Sequence, residues 1–280
     1  MLDSTIFDGY GYSLSPAFLL EISTLEELKD AILDLNSKYL RYRVFGRLKN
    51  VVFASQRSDI GVLKLSGAIF KKIKREGDIL NIGAGVDISE LMRFSIDNSI
   101  GGLEYMVGIP ATIAGAAVGN SGAFGREIFE NIVQVECLNT KGELLILNRE
   151  EIDFKYRSSN LESFILTKVF LKITLGAKAE IKENMRVYIK KRFNTQDARG
   201  LSCGCFFKNH PEHKAAILID SLGLKGYRRG GAVVSDKHAN FLISLDNSSS
   251  EDILSLKDVL QRRVWKDKRV WLMPEVELIW

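Results

Sequence analysis

The stretch Gly108–Gly125, GIPATIAGAAVGNSGAFG, decides the reading of this chain. Glycine and alanine dominate it, so it cannot build a bulky core of its own. It lets backbone amides come close to a ligand, and glycine supplies backbone angles that other residues avoid. A second stretch, Gly204–Asn209, GCFFKN, sets the thiol of Cys205 near an amine and an amide. A backbone cradle plus a small polar group suits a cofactor enzyme. The first stretch lacks the dinucleotide pattern G-x-G-x-x-G and the phosphate-loop pattern Gly-Lys-Ser/Thr. A Rossmann domain is therefore unsupported, although backbone amides bind pyrophosphate without either motif. Composition alone supports a ligand cradle and a tightly packed crossing of small residues about equally.

At 280 residues the chain holds one large domain or two to three smaller ones. Apolar content of 46% and charged content of 26% fit a globular protein. A net charge of +4 suits anionic small molecules without demanding nucleic acid. The basic runs KKIKR (71–75), KKR (190–192) and RRVWKDKR (262–269) lack an aromatic platform, so they read as solvated faces. No apolar run is long enough to span a bilayer, and MLDSTIFDGYGYS has no signal-peptide pattern. Three cysteines without an export signal point to a reducing, cytoplasmic setting and no disulfide framework.

Along the chain, AFLLEI (17–22) reads as a strand, followed by a helix with Ser23 and Glu26 as a capping box. RYRVFGRLKNVVFAS predicts strand, turn and strand, and GVLKL and DILNIGAGV predict short strands. Asp87 and Glu90 open a helix, and NIVQVECLN with ELLILN predicts a hairpin around residues 140–142. SFILTKVFLKITLG is strand-rich. Beyond residue 176 the texture becomes helical, with one helix ending at Gly223 and another capped by Ser248 and Glu251. Strands and helices lack regular alternation, which favours α+β over a doubly wound sheet.

GGLEYMVGIPATIAGAAVGNSGAFG resembles the flavin-contacting segment of UDP-N-acetylenolpyruvoylglucosamine reductases. The likeness continues through FKYRSSN (154–160), RFNTQ (192–196), SCGCFFKN (202–209), LIDSLGLKGYRRGGAVVSDKHANFLI (218–243) and PEVELIW (274–280). The resemblance implies a two-part FAD-binding domain of the PCMH/vanillyl-alcohol-oxidase type, residues 1–60 and 61–176. A smaller α+β substrate-binding domain, 177–280, follows. It implies that NADPH reduces FAD and that UDP-N-acetylglucosamine enolpyruvate then receives hydride, giving UDP-N-acetylmuramate for peptidoglycan.

The resemblance also assigns residues. Arg157 matches the arginine that steadies the developing enolate, and Glu275 the glutamate acting with it. Cys205 stands at the proton donor's position, where serine is usual; a thiol of ordinary pKa near 8.5 is mostly protonated at neutrality. Gly46, Arg47, Asn50, Gly108, Ile109, Thr112, Gly115, Asn120 and Gly122 fall at flavin-contact positions, and Tyr156, Ser159, Lys208 and Asn209 at substrate positions. Ala111 and Ala114 stand where glycine is common and require negative φ. The family's Gly-Gly-Gly-Ser-Asn run is here Gly46-Arg47-Leu48-Lys49-Asn50. Either Arg47 and Lys49 hold pyrophosphate by charge, or the loop has filled in and the chain is a flavin-poor relative binding a nucleotide sugar or a protein. A flavin enzyme of this fold acting on another substrate is a third reading. Cys203, Cys205, His210 and His213 form C-x-C-x4-H-x2-H, tighter than a usual zinc knuckle, so no metal is expected. His238 is expected to be structural.

Overall fold

A computed structural model describes residues 5–197 and 201–280. It divides into two compact units, one of residues 17–47 and 59–190, the other of residues 5–16, 48–58, 191–197 and 201–280. Each mixes helices with mainly antiparallel sheet, the expected α+β class.

The larger unit is built on a five-stranded antiparallel sheet in the order Leu144–Asn148, Ile132–Leu138, Ile165–Lys172, Ile79–Gly83, Ile73–Glu76. Alternation along these strands sends Val135, Val169, Leu171, Leu80 and Ile82 into one core. Helix α2 (Ile88–Asp97) covers that core with Ile88, Leu91 and Met92, and the short α3 (Ile113–Val118) with Ile113, Ala116 and Ala117. Helix α1 (Leu25–Ser37) closes a second core over a parallel sheet of Leu19–Ile22, Gly61–Leu65 and Tyr42–Val44. Its buried Leu28, Ile32 and Leu35 each contribute roughly 1.5–3 kcal/mol from burial. The capping box of α1 falls one residue later than expected. Thr24, not Ser23, accepts the Glu27 N–H at 3.1 Å, while the Glu27 carboxylate accepts the Ser23 and Thr24 N–H groups. Either pair satisfies the sequence pattern, and only the extended φ of −128° at Thr24 decides between them.

In the other unit, Arg228–Arg229, Ala232–Val234 and Leu242–Ser244 form an antiparallel sheet. Helix α6 (Ser250–Lys268) packs on its core with Ile253, Leu256, Leu260 and Val264. Its cap is Ser249 with Asp252, again one place beyond the expected pair. Helix α5 (Ala215–Asp220) adds Leu218 and Ile219, and Gly223 follows at φ 66° as a terminator.

The contact boundaries differ from cuts at 60 and 176. Val51–Phe53 pairs in parallel with Glu277–Ile279, which draws residues 48–58 into the unit of the chain's end. Tyr42–Val44 pairs with Gly61–Leu65 instead, so the two strands flanking the Gly46 turn never form a hairpin. Helix α4 (Lys178–Thr195) buries Ile181 and Met185 in the larger core, so that unit extends to Lys190.

Candidate functional site

The glycine-rich stretch folds as a turn, a one-and-a-half-turn helix and a hairpin, all within the larger unit. Gly108 has φ 80°, a conformation in which a side chain is strained. The turn closes by Ile109 N–H donating to Met106 O and Ala111 N–H to Ile109 O, both at 3.0 Å. Thr112 caps α3, its Oγ1 accepting the Gly115 N–H at 3.2 Å. Ala114 N–H donates to Ala84 O, and Ile113 N–H to Val86 O, which fixes α3 against residues 84–88. Ala111 and Ala114 are absent from the positive-φ residues, as their methyl groups require.

Gly46 lies against this cap. A Cβ there would stand 2.5 Å from Thr112 Oγ1, so the fold needs glycine at this point for close approach. The neighbouring Arg47 donates to Asp87 Oδ2 at 2.9 Å, where Asp87 also caps α2. A carboxylate thus already answers the Arg47 charge, the charge that one sequence account assigned to pyrophosphate.

Asn120, fully buried at φ 40°, follows α3. Its Nδ2 donates to Glu127 Oε2 at 2.8 Å and to Lys155 O at 3.0 Å, and its Oδ1 is buried and accepts nothing from the protein. A buried acceptor without a donor costs about 1–3 kcal/mol. A cofactor N–H or O–H would supply the missing donor, so the orphaned oxygen fits a polar group held in this cradle. Arg157 donates to Asn120 O at 3.2 Å and to Gly122 O at 2.9 Å, with Glu127 Oε1 at 3.8 Å from its guanidinium. Its guanidinium also lies over the Tyr156 ring, 4.9 Å from the centroid. Asn120, Gly122 and Arg157 therefore form one connected group. Ser159 is buried, and its hydroxyl donates to Val118 O at 2.7 Å, closing the C-terminal end of α3.

Glu127 was invisible to sequence reasoning, yet it holds both Asn120 and Arg157. It faces Gly122 across a hairpin, Gly122–Ala123 against Arg126–Glu127, turned by Phe124 at φ 58° and Gly125 at φ 85°. Two successive positive φ values mark a primed turn. The signal was the Phe124-Gly125 pair between short segments, and it had been absorbed into the glycine-rich stretch.

In the other unit, Cys205 and Glu275 lie on adjoining backbone. Glu275 N–H donates to Phe206 O at 2.8 Å, and Phe207 bridges to Pro274. Cys205 itself bridges to Phe241, and Lys208 N–H donates to Met273 O at 2.8 Å. Asn240 holds this corner: its Oδ1 accepts the Phe207 N–H at 2.9 Å, and its Nδ2 donates to Phe207 O at 2.8 Å. Asn50 Nδ2 donates to Glu275 O at 3.1 Å, tying Asn50 to the bend that carries the carboxylate just before the strand Glu277–Ile279. Asn209 Oδ1 accepts the Ala215 N–H at 3.0 Å and so caps α5. His238 packs its ring edge against Phe241, and its Nδ1 accepts the Asn240 N–H, a structural role as expected.

The cysteines and histidines of C-x-C-x4-H-x2-H do not gather. Cys203 is buried, its thiol donating to Val51 O at 3.3 Å, and burial pushes its pKa well up. Among the described residues, the group with metal-ligating atoms close together is His210, Glu212 and His213.

A family described as FAD binding domain matches residues 16–148, and one described as UDP-N-acetylenolpyruvoylglucosamine reductase, C-terminal domain, matches residues 196–279. The UDP-N-acetylenolpyruvoylglucosamine reductase of Rickettsia massiliae is 35% identical over 255 residues, 91% of this chain and 86% of that protein. The Thermotoga maritima protein of the same name is 35% identical over 246 residues, 87% of this chain and 86% of its own length. The crystal structure of UDP-N-acetylenolpyruvylglucosamine reductase from Thermus caldophilus superposes with a TM-score of 0.83 at 30% identity, covering 98% of both chains. The chain belongs to the UDP-N-acetylenolpyruvoylglucosamine reductase family.

Proposed function

We propose that this chain reduces UDP-N-acetylglucosamine enolpyruvate to UDP-N-acetylmuramate, an FAD-dependent, NADPH-driven step of peptidoglycan precursor synthesis. The observation that carries the reading is the binding of Arg157 to the carbonyls of Asn120 and Gly122, which joins the reacting arginine to the cofactor cradle. FAD, when bound, supplies the hydride that it receives from NADPH. Gly46, Arg47, Asn50, Gly108, Ile109, Thr112, Gly115, Asn120 and Gly122 would hold it.

The remaining chemistry falls to side chains of this chain. Hydride addition to the methylene carbon of the enol ether drives negative charge toward the substrate carboxylate. Arg157, fixed in position by two carbonyls, stabilises that charge, and Glu275 is assigned to the same step. Cys205 delivers the proton to the alpha carbon, a role open to a protonated thiol. Tyr156 and Ser159 of one unit and Lys208 and Asn209 of the other are assigned to the substrate; Ser159 holds the end of α3 and Asn209 the start of α5. NADPH and a sugar nucleotide both imply action in the cytoplasm; among the described residues no helix is long and apolar enough to cross a membrane.

One observation favours the flavin-poor alternative, the pairing of Arg47 with Asp87. Anaerobic half-reactions separate the readings. The flavoenzyme loses its visible flavin absorbance with NADPH and regains it only on adding the enolpyruvyl sugar nucleotide. A colourless protein that does not take up FAD overturns the proposal.

A further inference from the structure

The segment after Asn209 reads His210-Pro211-Glu212-His213, and no part of the proposed reduction uses it. Two backbone bonds close it as a turn: His210 N–H donates to His213 O at 2.9 Å, and His213 N–H to His210 O at 3.2 Å. Pro211 occupies the first corner, where its fixed φ favours a turn before any ligand arrives. On the far side, Asn209 caps α5, so the turn is anchored at both ends.

Reciprocal bonding makes His210 and His213 a directly opposed pair with side chains on one face. Their rings stack with centroids 5.6 Å apart. His210 Nδ1 accepts the Glu212 N–H at 3.2 Å, so the ring proton sits on Nε2; ligation through Nε2 moves that proton to Nδ1 and gives up this one bond. His213 Nε2 is 4.0 Å from Glu212 Oε2, and one ligand atom from each of the three residues lies within 4.8 Å of the others. Ligands at about 2.0–2.1 Å from a tetrahedral ion sit somewhat closer together than this. All three side chains are exposed, so small torsional changes close the gap without disturbing the core.

We propose that the 210–213 turn binds a divalent ion of the zinc class through His210, Glu212 and His213. Two imidazoles and one carboxylate are borderline donors, which select zinc, copper or nickel over magnesium or calcium. Three protein ligands leave at least one coordination position for water or an anion. The buried thiol of Cys203 takes no part, and neither does Cys205.

The test uses untagged, flavin-loaded protein stripped with a chelator and titrated with zinc alone, by calorimetry and by competition with a chromophoric chelator. The account expects about one zinc per chain at micromolar affinity and no displacement by millimolar magnesium. H210N and H213N each weaken binding by roughly tenfold or more, while C205S leaves it unchanged. Because the turn is exposed, the variants keep the flavin spectrum and melting temperature of the parent, which shows that they fold. Absence of zinc binding in this range overturns the proposal, as does binding retained by H210N/H213N but lost in C205S.

Discussion

Arg157 is an arginine held at φ 55°, left-handed backbone that a non-glycine residue adopts at a cost on the order of 1 kcal/mol. The fold maintains it because the guanidinium reaches the carbonyls of both Asn120 and Gly122, and a single ammonium cannot reproduce that planar fork. R157K is therefore expected to slow substrate-driven reoxidation by roughly 100-fold or more, with reduction by NADPH close to the parent rate. Stopped-flow traces of the two half-reactions check this, and equal losses in both contradict the assignment. Cys205 gives a second contrast. C205S keeps turnover and C205A slows reoxidation alone, whereas a C205A enzyme defective in both half-reactions would show that the thiol matters for structure instead. Recognition of these positions came from motif resemblance; nothing in the local spacing of Tyr156-Arg157 reveals which carbonyls the arginine meets.

At the scale of elements, the cap of α3 is where the proposed cofactor cradle meets the fold. T112A removes the oxygen that accepts the Gly115 N–H and is expected to cost about 1 kcal/mol in urea unfolding. G46A forces the same oxygen aside from 2.5 Å away, so it is expected to cost about 1–3 kcal/mol and to lower flavin occupancy of the purified protein as well. A G46A protein with parent stability and full flavin would show that the close approach is dispensable. Sequence periodicity revealed α1, α2 and the 132–148 hairpin because one face of each is apolar, a local property. The caps at Thr24 and Ser249 were misplaced by one residue because adjacent hydroxyls and carboxylates satisfy the same pattern. The parallel pairing of Val51–Phe53 with Glu277–Ile279 lay beyond local reasoning, since it joins strands more than two hundred residues apart. Asn50 and Glu275 were both expected at the site, and that pairing is what brings them together.

Across the whole molecule, His238 contributes to how stability changes with pH below neutrality. Burial lowers its pKa from the ordinary 6.5, with Lys225 adding to the effect. Above pH 6.5 the histidine is neutral both folded and unfolded, and its contribution is constant. As pH falls through that value toward the folded pKa, the unfolded chain takes up a proton that the folded chain refuses, so stability drops. H238Q is expected to flatten this part of the denaturation profile between about pH 7 and 5; an unchanged slope would remove His238 from the account. The proposed reduction draws on Arg157 and the glycine-rich stretch in one unit and on Cys205 and Glu275 in the other. Its most direct test is anaerobic reoxidation of the NADPH-reduced protein by UDP-N-acetylglucosamine enolpyruvate, followed by flavin absorbance. The account predicts stoichiometric recovery of oxidised flavin with one UDP-N-acetylmuramate formed per flavin. Flavin that stays reduced in the presence of this substrate would contradict it.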